Sequence, residues 1–503
     1  MKKTIAFVIV LAMALALAAC QTTPENPIIV GKGDRQLEGK ISSQAEALIP
    51  EDMPESGTRV SETYRHKSLN ITIEVDALVE LPESDRMPAA KVTPYKFTQD
   101  DVNRVLDYFA GNARFFQIPE NENWDMALDQ DIKRAETDLA YLRANPNVSL
   151  EHGRYWGYAH DDVIAALERE LADCYKWRAA AKPSSAFPDA TRILGPTSDD
   201  DKAIAGAWEN DGFGYTLRCY NNGSGKNGAL VIRRLDACNL EENNLSSFRY
   251  RFPESVSILE AGQSIEGLSY ADALATAKQA IAAVTGEHMG LASAKGVVAP
   301  AETGIASCYF FIFTHEVNGV LCRFSSIGMA YDQNQYDEVW DTESMMISVD
   351  KSGIVSFAWY CPAIITEELS GGVPLLTFAE VIDVFSKMAF IKNSYWESEV
   401  KADVRIVDGA PEIGTGKGDI KANSMTIRIE KITLGLMRVQ SGREYLLIPV
   451  WDFYGYKEVF CEDGSNFYER AQMYYMLENL REPLNILTIN AIDGSVIDRN
   501  YGY

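Results

Sequence analysis

The sequence is poor in the residues that chemistry at metal or thiol centres requires. It has five histidines among 503 residues, at positions 66, 152, 160, 288 and 315. Their spacing fits no common zinc pattern. His315-Glu316 begins like a zinc-protease helix motif, but the second histidine is missing and Asn318-Gly319 would break a helix there. Eight cysteines are present and no two form a Cys-x-x-Cys pair. Wide spacing in a long chain argues against a disulfide framework, and cysteines in apolar runs act as small hydrophobes. No Gly-x-Ser-x-Gly nucleophile turn occurs. Gly409 to Lys417 has the glycines of a phosphate loop, but its lysine comes two places late and no apolar helix follows. Basic charge is also short: 47 Lys and Arg stand against 72 Asp and Glu, a net charge of −25. Such a surface repels phosphate, which argues against nucleic-acid binding. Nothing among the acids singles out a carboxylate pair for glycoside hydrolysis. No catalytic, metal or cofactor-binding residue is assigned on these grounds.

Long hydrophobic runs are missing too, except at the start. Lys2 and Lys3 precede an apolar stretch from Thr4 to Ala19, and the chain turns polar at Gln21. The stretch is shorter than the roughly 20 residues of a membrane span and has the layout of a secretory signal. Leu17-Ala18-Ala19-Cys20 resembles the bacterial lipobox. That resemblance implies removal of residues 1–19 and a covalent lipid on Cys20, hence a protein anchored to the extracytoplasmic face of the cell membrane. Two or three acyl chains suffice for stable anchoring. Residues 20–60, with Pro24, Pro27, Pro50 and Pro54, read as a flexible tether. A coil of that length has an end-to-end distance of about 35 Å.

The body has the periodicities of an α+β protein: antiparallel sheets, each packed by a helix, in tandem. Leu69 to Leu81 alternates without a break, predicting a long antiparallel strand with one wet face. Thr98, followed by Gln-Asp-Asp101, starts a helix. Leu128, Ile132, Ala135, Leu139 and Leu142 step by four and three, as do Ile164, Leu167, Leu171 and Cys174. These two seams predict an antiparallel helical hairpin over 124–181, inserted in an N-terminal α+β domain over 61–265. The hairpin serves either as packing against the sheet or as an arm for a partner.

Residues 266–370 and 371–503 repeat one unit. Each opens on a capped helix, at Leu268-Ser-Tyr-Ala-Asp and at Leu376-Thr-Phe-Ala-Glu. Each continues through a strand led by Tyr309 or Tyr445 and closes on an Asp-Gly-containing hairpin, at Asp350 to Val355 and Asp493 to Val496. This order resembles the PepSY domain of extracytoplasmic regulatory proteins. Together with Cys20, Thr433 to Val439 and Pro449 to Phe453, it resembles a family of Gram-positive lipoproteins with no assigned function. The resemblance implies architecture and location and supplies no active site.

The richest polar stretch is Tyr331 to Asp341. Asp332, Asn334, Asp337, Glu338 and Asp341 offer oxygens, but without the glycine and terminal acid of a calcium loop. The interleaved aromatics make Tyr331, Asp332, Tyr336, Asp337, Trp340 and Asp341 a candidate partner-facing loop. The leading expectation is a non-enzymatic binding or regulatory lipoprotein, modulating a membrane sensor or a protease. Its partners are the membrane, through the lipid, and an envelope protein or peptide. The alternatives are an envelope hydrolase with dispersed carboxylates and a solute- or peptide-binding lipoprotein.

Overall fold

The computed structural model describes residues 41, 47–120, 122–146, 159–196, 202–221, 228–235, 257–259, 264–285, 289–298, 307–323, 340, 342–394, 404–407, 410–413, 422–441, 444–462, 464, 466–469 and 484–498. Strands β1 (Arg59–His66), β2 (Ile71–Glu80) and β3 (Ala89–Pro94) come first. Helices α1 (Gln99–Phe109), α2 (Asp125–Ala144) and α3 (His160–Ala180) follow. Next are β4 (Gly195–Pro196), β5 (Lys202–Asn210), β6 (Phe213–Asn221), β7 (Ala229–Arg234) and β8 (Ser257–Ile258). Helix α4 (Tyr270–Thr285) leads into β9 (Met289–Val298), β10 (Cys308–Val317) and β11 (Val320–Leu321). After these come β12 (Ser344–Asp350), β13 (Gly353–Tyr360) and β14 (Ala363–Ser370). Helix α5 (Phe378–Lys392) precedes β15 (Val404–Val407), β16 (Ala410–Ile413), β17 (Ala422–Ser441) and β18 (Glu444–Cys461). The chain closes with β19 (Asn466–Glu469), β20 (Leu484–Asn490) and β21 (Val496–Ile497).

The strands form two sheets in a mixed α+β fold. The outer parts of the chain, β1–β3 and β14–β21, make an 11-stranded sheet, and β4–β13 make a 10-stranded one. Strand pairs are antiparallel apart from β2 against β17, where Ile71 to Glu80 run beside Met425 to Thr433. After α4 the order of pairing is β9–β10–β12–β13, and after α5 it is β17–β18–β20–β21. The last hairpin of each set turns on the same local device. Asp350 Oδ1 accepts from Ser352 N at 2.7 Å, and Asp493 Oδ1 accepts from Ser495 N at 3.0 Å. Each aspartate thus satisfies the amide two residues on, which fixes the turn.

Each sheet buries one face under helices. On the 10-stranded sheet, Val102, Val105 and Leu106 of α1 and Ala273, Ala277 and Ile281 of α4 cover Phe311, Phe313, Ile347 and Phe357. Alanine on the inner side of α4 lets the helix approach the large rings beneath it. On the 11-stranded sheet, α5 lays Val381, Phe385 and Met388 against Trp451, Phe453 and Ile489. Phe385 stacks on Phe453 with ring centroids 4.1 Å apart. Both α1 and α5 start on capping boxes. Thr98 Oγ1 accepts from Asp101 N and Thr377 Oγ1 from Glu380 N, while the carboxylates reach back to the cap amides. Thr377→Ala is expected to cost about 1 kcal/mol through loss of the cap, read as a lower urea midpoint with unchanged slope.

Helices α2 and α3 meet with late residues of one against early residues of the other. Arg178 Nε donates to Asp129 Oδ1 at 2.5 Å, Arg134 Nη2 to Glu170 Oε1 at 2.9 Å and Arg143 Nη2 to Glu168 Oε1 at 2.6 Å. The base of α2 is rooted on β5 by Trp124, which packs with Phe116, Phe187 and Ala207.

Two expectations change. The N-terminal strands do not share a body with the rest of 61–265. They pair with β17, β18 and β14, so that segment is divided between the sheets. Alternation in β2 identifies its buried face but not its neighbour β17, which lies more than 300 residues along the chain. The expected 20–60 tether is also packed on the body in part. Ile41 is 1% exposed within the core under α5, and Ala47 and Ile49 donate to Gly372 O and Asp85 O, each at 2.9 Å. Scattered apolar residues without a period can still dock where a matching groove exists, and strand β1 begins already at Arg59.

Buried thiols follow their apolar surroundings. Cys174, Cys219 and Cys461 are buried free cysteines. Burial, with the charge of Asp101 adding to it, pushes the Cys219 thiol up to about 12. Cys219 is therefore expected to resist iodoacetamide at pH 8 in the native protein and to react in guanidinium, read by peptide mass spectrometry.

Candidate functional site at the junction of the sheets

The two sheets meet where β10 and β11 run past the edge of β17. Strand β10 contributes aromatic residues to the core under α4 as far as Phe313, and Val317 to the core under α5. The turn between β10 and β11 uses Asn318 at φ 50° and Gly319 at φ 81°, as an Asn-Gly hairpin requires. The chain after β11 continues the line of β2. Cys322 bridges Leu436 in parallel, and Arg323 N donates to Leu436 O at 2.9 Å. The Arg323 side chain crosses β17 over Gly435. A Cβ at position 435 would lie 2.6 Å from Arg323 Cγ and 2.8 Å from its Nε, so glycine is needed for the crossing. Arg323 Nη2 then donates to Leu434 O at 3.3 Å, and its Nη1 lies 3.7 Å from Glu80 Oε2.

Trp340 and Glu343 fix the chain again before β12. The Trp340 ring is 2% exposed. Arg438 sits 4.1 Å above its centroid, and Tyr445 meets it edge-on at 5.0 Å. This is a cation–π and aromatic clamp made by β17 and β18. Glu343 is 5% exposed and uses both carboxylate oxygens. Its Oε2 lies 2.7 Å from His315 Nδ1, and its Oε1 accepts from Trp359 Nε1 at 2.8 Å. Trp359 in turn packs against Phe97 and Tyr95, which enter from the segment before α1. A buried carboxylate held by an imidazole and an indole N–H is a satisfied structural node.

The sequence motifs acquire roles here. Of Thr433 to Val439, Gly435 admits Arg323 and Arg438 covers Trp340. Of Pro449 to Phe453, Trp451 and Phe453 face α5, while Asp452 points to the other face. Asp452, fully buried, accepts from Thr488 Oγ1 at 2.6 Å and Asn485 Nδ2 at 2.8 Å.

The candidate partner-facing loop requires one correction. Trp340 is not on a partner-facing surface; it belongs to the core, because Arg438 and Tyr445 close over it. Tyr331, Asp332, Tyr336, Asp337 and Asp341 lie outside the described residues, as does Cys20. Reading along the chain missed Glu343 as the partner of His315, 28 positions on, and Trp359 as the second partner of Glu343, 16 positions further. Among the described residues, no group of three His, Cys, Asp or Glu side chains is arranged to hold a metal ion. No described helix is long and apolar enough to cross a membrane.

No family model matches the chain, and none of the curated proteins matches it. Among solved structures, an uncharacterized protein from Eubacterium rectale is similar at 9% identity and a TM-score of 0.34, over 85% of this chain and 90% of that one. A likeness this weak carries no argument about fold or function.

Proposed function

We propose that the protein is a lipid-anchored, extracytoplasmic binding or regulatory protein that is not an enzyme. In this reading it is built from two tandem PepSY-like units, 266–370 and 371–503, with an antiparallel helical hairpin inserted at 124–181. The tandem reading is supported by the shared pairing order after α4 and α5 and by the matching aspartate turns at Asp350 and Asp493. It is supported also by the helix starts, where Ser269 Oγ accepts from Asp272 N at 3.0 Å as Thr377 Oγ1 does from Glu380 N at 3.3 Å.

The observation that carries the binding role is the double clamp on the 324–339 segment. Arg323 holds its entry against β17, and Trp340 with Glu343 holds its exit against β17, β18, β10 and β13. A segment rich in Tyr, Asp and Glu between two fixed stems suits recognition by loop side chains on a stable scaffold. The partner class is an envelope protein or peptide, such as the ectodomain of a membrane sensor or a protease.

The test is crosslinking in intact cells, followed by capture of the anchored protein. Wild type is expected to retain a membrane or envelope protein that a Tyr331→Ala, Tyr336→Ala, Asp337→Ala triple variant loses. Capture of the same proteins by both, or of the anchored chain alone, would count against the loop as the binding element. Anchoring is checked separately: Cys20→Ala should abolish palmitate labelling and move the protein from the membrane fraction to the medium.

A further inference from the structure

The N-terminal segment does more than connect. Ile41 sits in the core under α5, while Ile49 and Met53 pack against the same core. Ala47 and Ile49 are held by two backbone hydrogen bonds, to Gly372 O beyond β14 and to Asp85 O before β3. Those two attachment points are themselves tied together, because Val373 N donates to Met87 O at 2.9 Å. The contact at Gly372 is close enough to exclude any side chain. The carbonyl oxygen of Ala47 occupies the space a Cβ would need, and Ala47 N would lie 3.1 Å from it. The seat therefore fits this segment's backbone at one position, which a casual surface contact would not require.

We propose that Ile41 and residues 47–53 form a docked strap that sets how far the body stands from the membrane. The proposal rests on the reading of Cys20 as the lipidated residue. With the strap seated, roughly 20 residues separate Cys20 from Ile41, a length that reaches at most about 70 Å when fully drawn out. With the strap released as far as β1, about 40 residues separate Cys20 from the body, with a reach of at most about 130 Å. Docking thus nearly halves the reach. It also directs any pull from the membrane onto Ile41 first and then onto Gly372, in the short connection between β14 and α5. That connection follows the point where the chain passes from the 10-stranded sheet into the 11-stranded one.

The test uses the full chain with and without its lipid. Hydrogen exchange on Cys20→Ala protein is independent of anchoring, and the amides of Ala47 and Ile49 should be protected. Gly372→Ala should raise their exchange at least tenfold while the amides of β17 and β18 stay protected. Ile41→Asp, which leaves the Gly372 backbone untouched, should do the same and keeps the test valid if Gly372→Ala perturbs the body. Exchange at the rate of an unstructured peptide in the unsubstituted segment would overturn the strap. The lipidated protein on phosphatidylcholine vesicles then reports height, by energy transfer from a dye on the body to one in the bilayer. Release by either substitution should lower the transfer, and equal transfer in all three proteins would overturn the leash role. Absent acylation with protected strap amides would remove the lipoprotein reading and leave the strap in place.

Discussion

Replacing Arg234 with alanine is expected to destabilise the protein by about 3–5 kcal/mol, because it strands a buried carboxylate. Arg234 closes β7 and Asp350 closes β12, and both side chains are 2% exposed. The two guanidinium nitrogens meet the two carboxylate oxygens at 3.2 and 2.5 Å. Phe213 covers the guanidinium from one side, with its ring centroid 4.4 Å away. Such a pair is not a large net gain over apolar residues of the same shape, since both ions were stripped of water. Removing one member is a different matter: the survivor keeps its desolvation cost and loses its compensation. The double variant Arg234→Leu, Asp350→Leu should therefore lose less than the sum of the two single losses. Urea unfolding of the wild type, both single variants and the double closes the cycle. Additive losses would mean that the two ions are not coupled. Arg234→Lys should recover part of the loss only, since an ammonium cannot match both oxygens in the fork geometry.

The same pair marks the limit of what the sequence discloses. Asp350 is legible as a turn residue because its contact with Ser352 N is local. Its partner Arg234 lies 116 positions earlier on β7, which folding places on the far side of β13. The capped starts at Thr98 and Thr377 are legible for the same reason as the turn: three residues contain the whole interaction. Alternation in Ile71 to Val79 identifies a buried face, but that pattern is indifferent to whether the neighbour runs parallel, and β17 does. Trp340 is misleading because Asp337, Glu338 and Asp341 stand close to it in the sequence, and acids belong to surfaces. What buries it, Arg438 and Tyr445, comes about 100 residues later. The strap fails to register because Ile41, Ile49 and Met53 share no period among the prolines and glycines around them. Of the candidate site, the sequence therefore contains the polar 324–339 segment and Gly435 in plain view, but neither the contacts of Arg323 nor those of Trp340 and Glu343.

Glu343→Ala is expected to cost a comparable amount, about 3–5 kcal/mol, and to do so at the stem of the candidate binding loop. The carboxylate serves two donors at once, and its removal leaves the Trp359 indole N–H and the His315 ring nitrogen buried without it. It also opens a gap beside Trp359, whose packing against Phe97 and Tyr95 joins the segment before α1 to the 10-stranded sheet. Glu343→Gln separates hydrogen bonding from charge. The amide oxygen still accepts from Trp359 Nε1, and the amide N–H can donate to His315 Nδ1 in the appropriate ring tautomer. That variant should lose about 1–2 kcal/mol, less than half of the alanine loss. Equal losses for glutamine and alanine would mean that the negative charge itself holds the node, and a loss below about 0.5 kcal/mol for alanine would mean that the node is not formed. The functional consequence separates this node from an ordinary core contact. Glu343 and Trp340 stand at the exit of the 324–339 segment, so the variant loosens that stem while Arg323 still holds the other. Partner capture by Glu343→Ala should then fall at temperatures where circular dichroism reports the body fully folded, whereas Arg234→Ala, distant from the stem, should leave capture intact under the same condition.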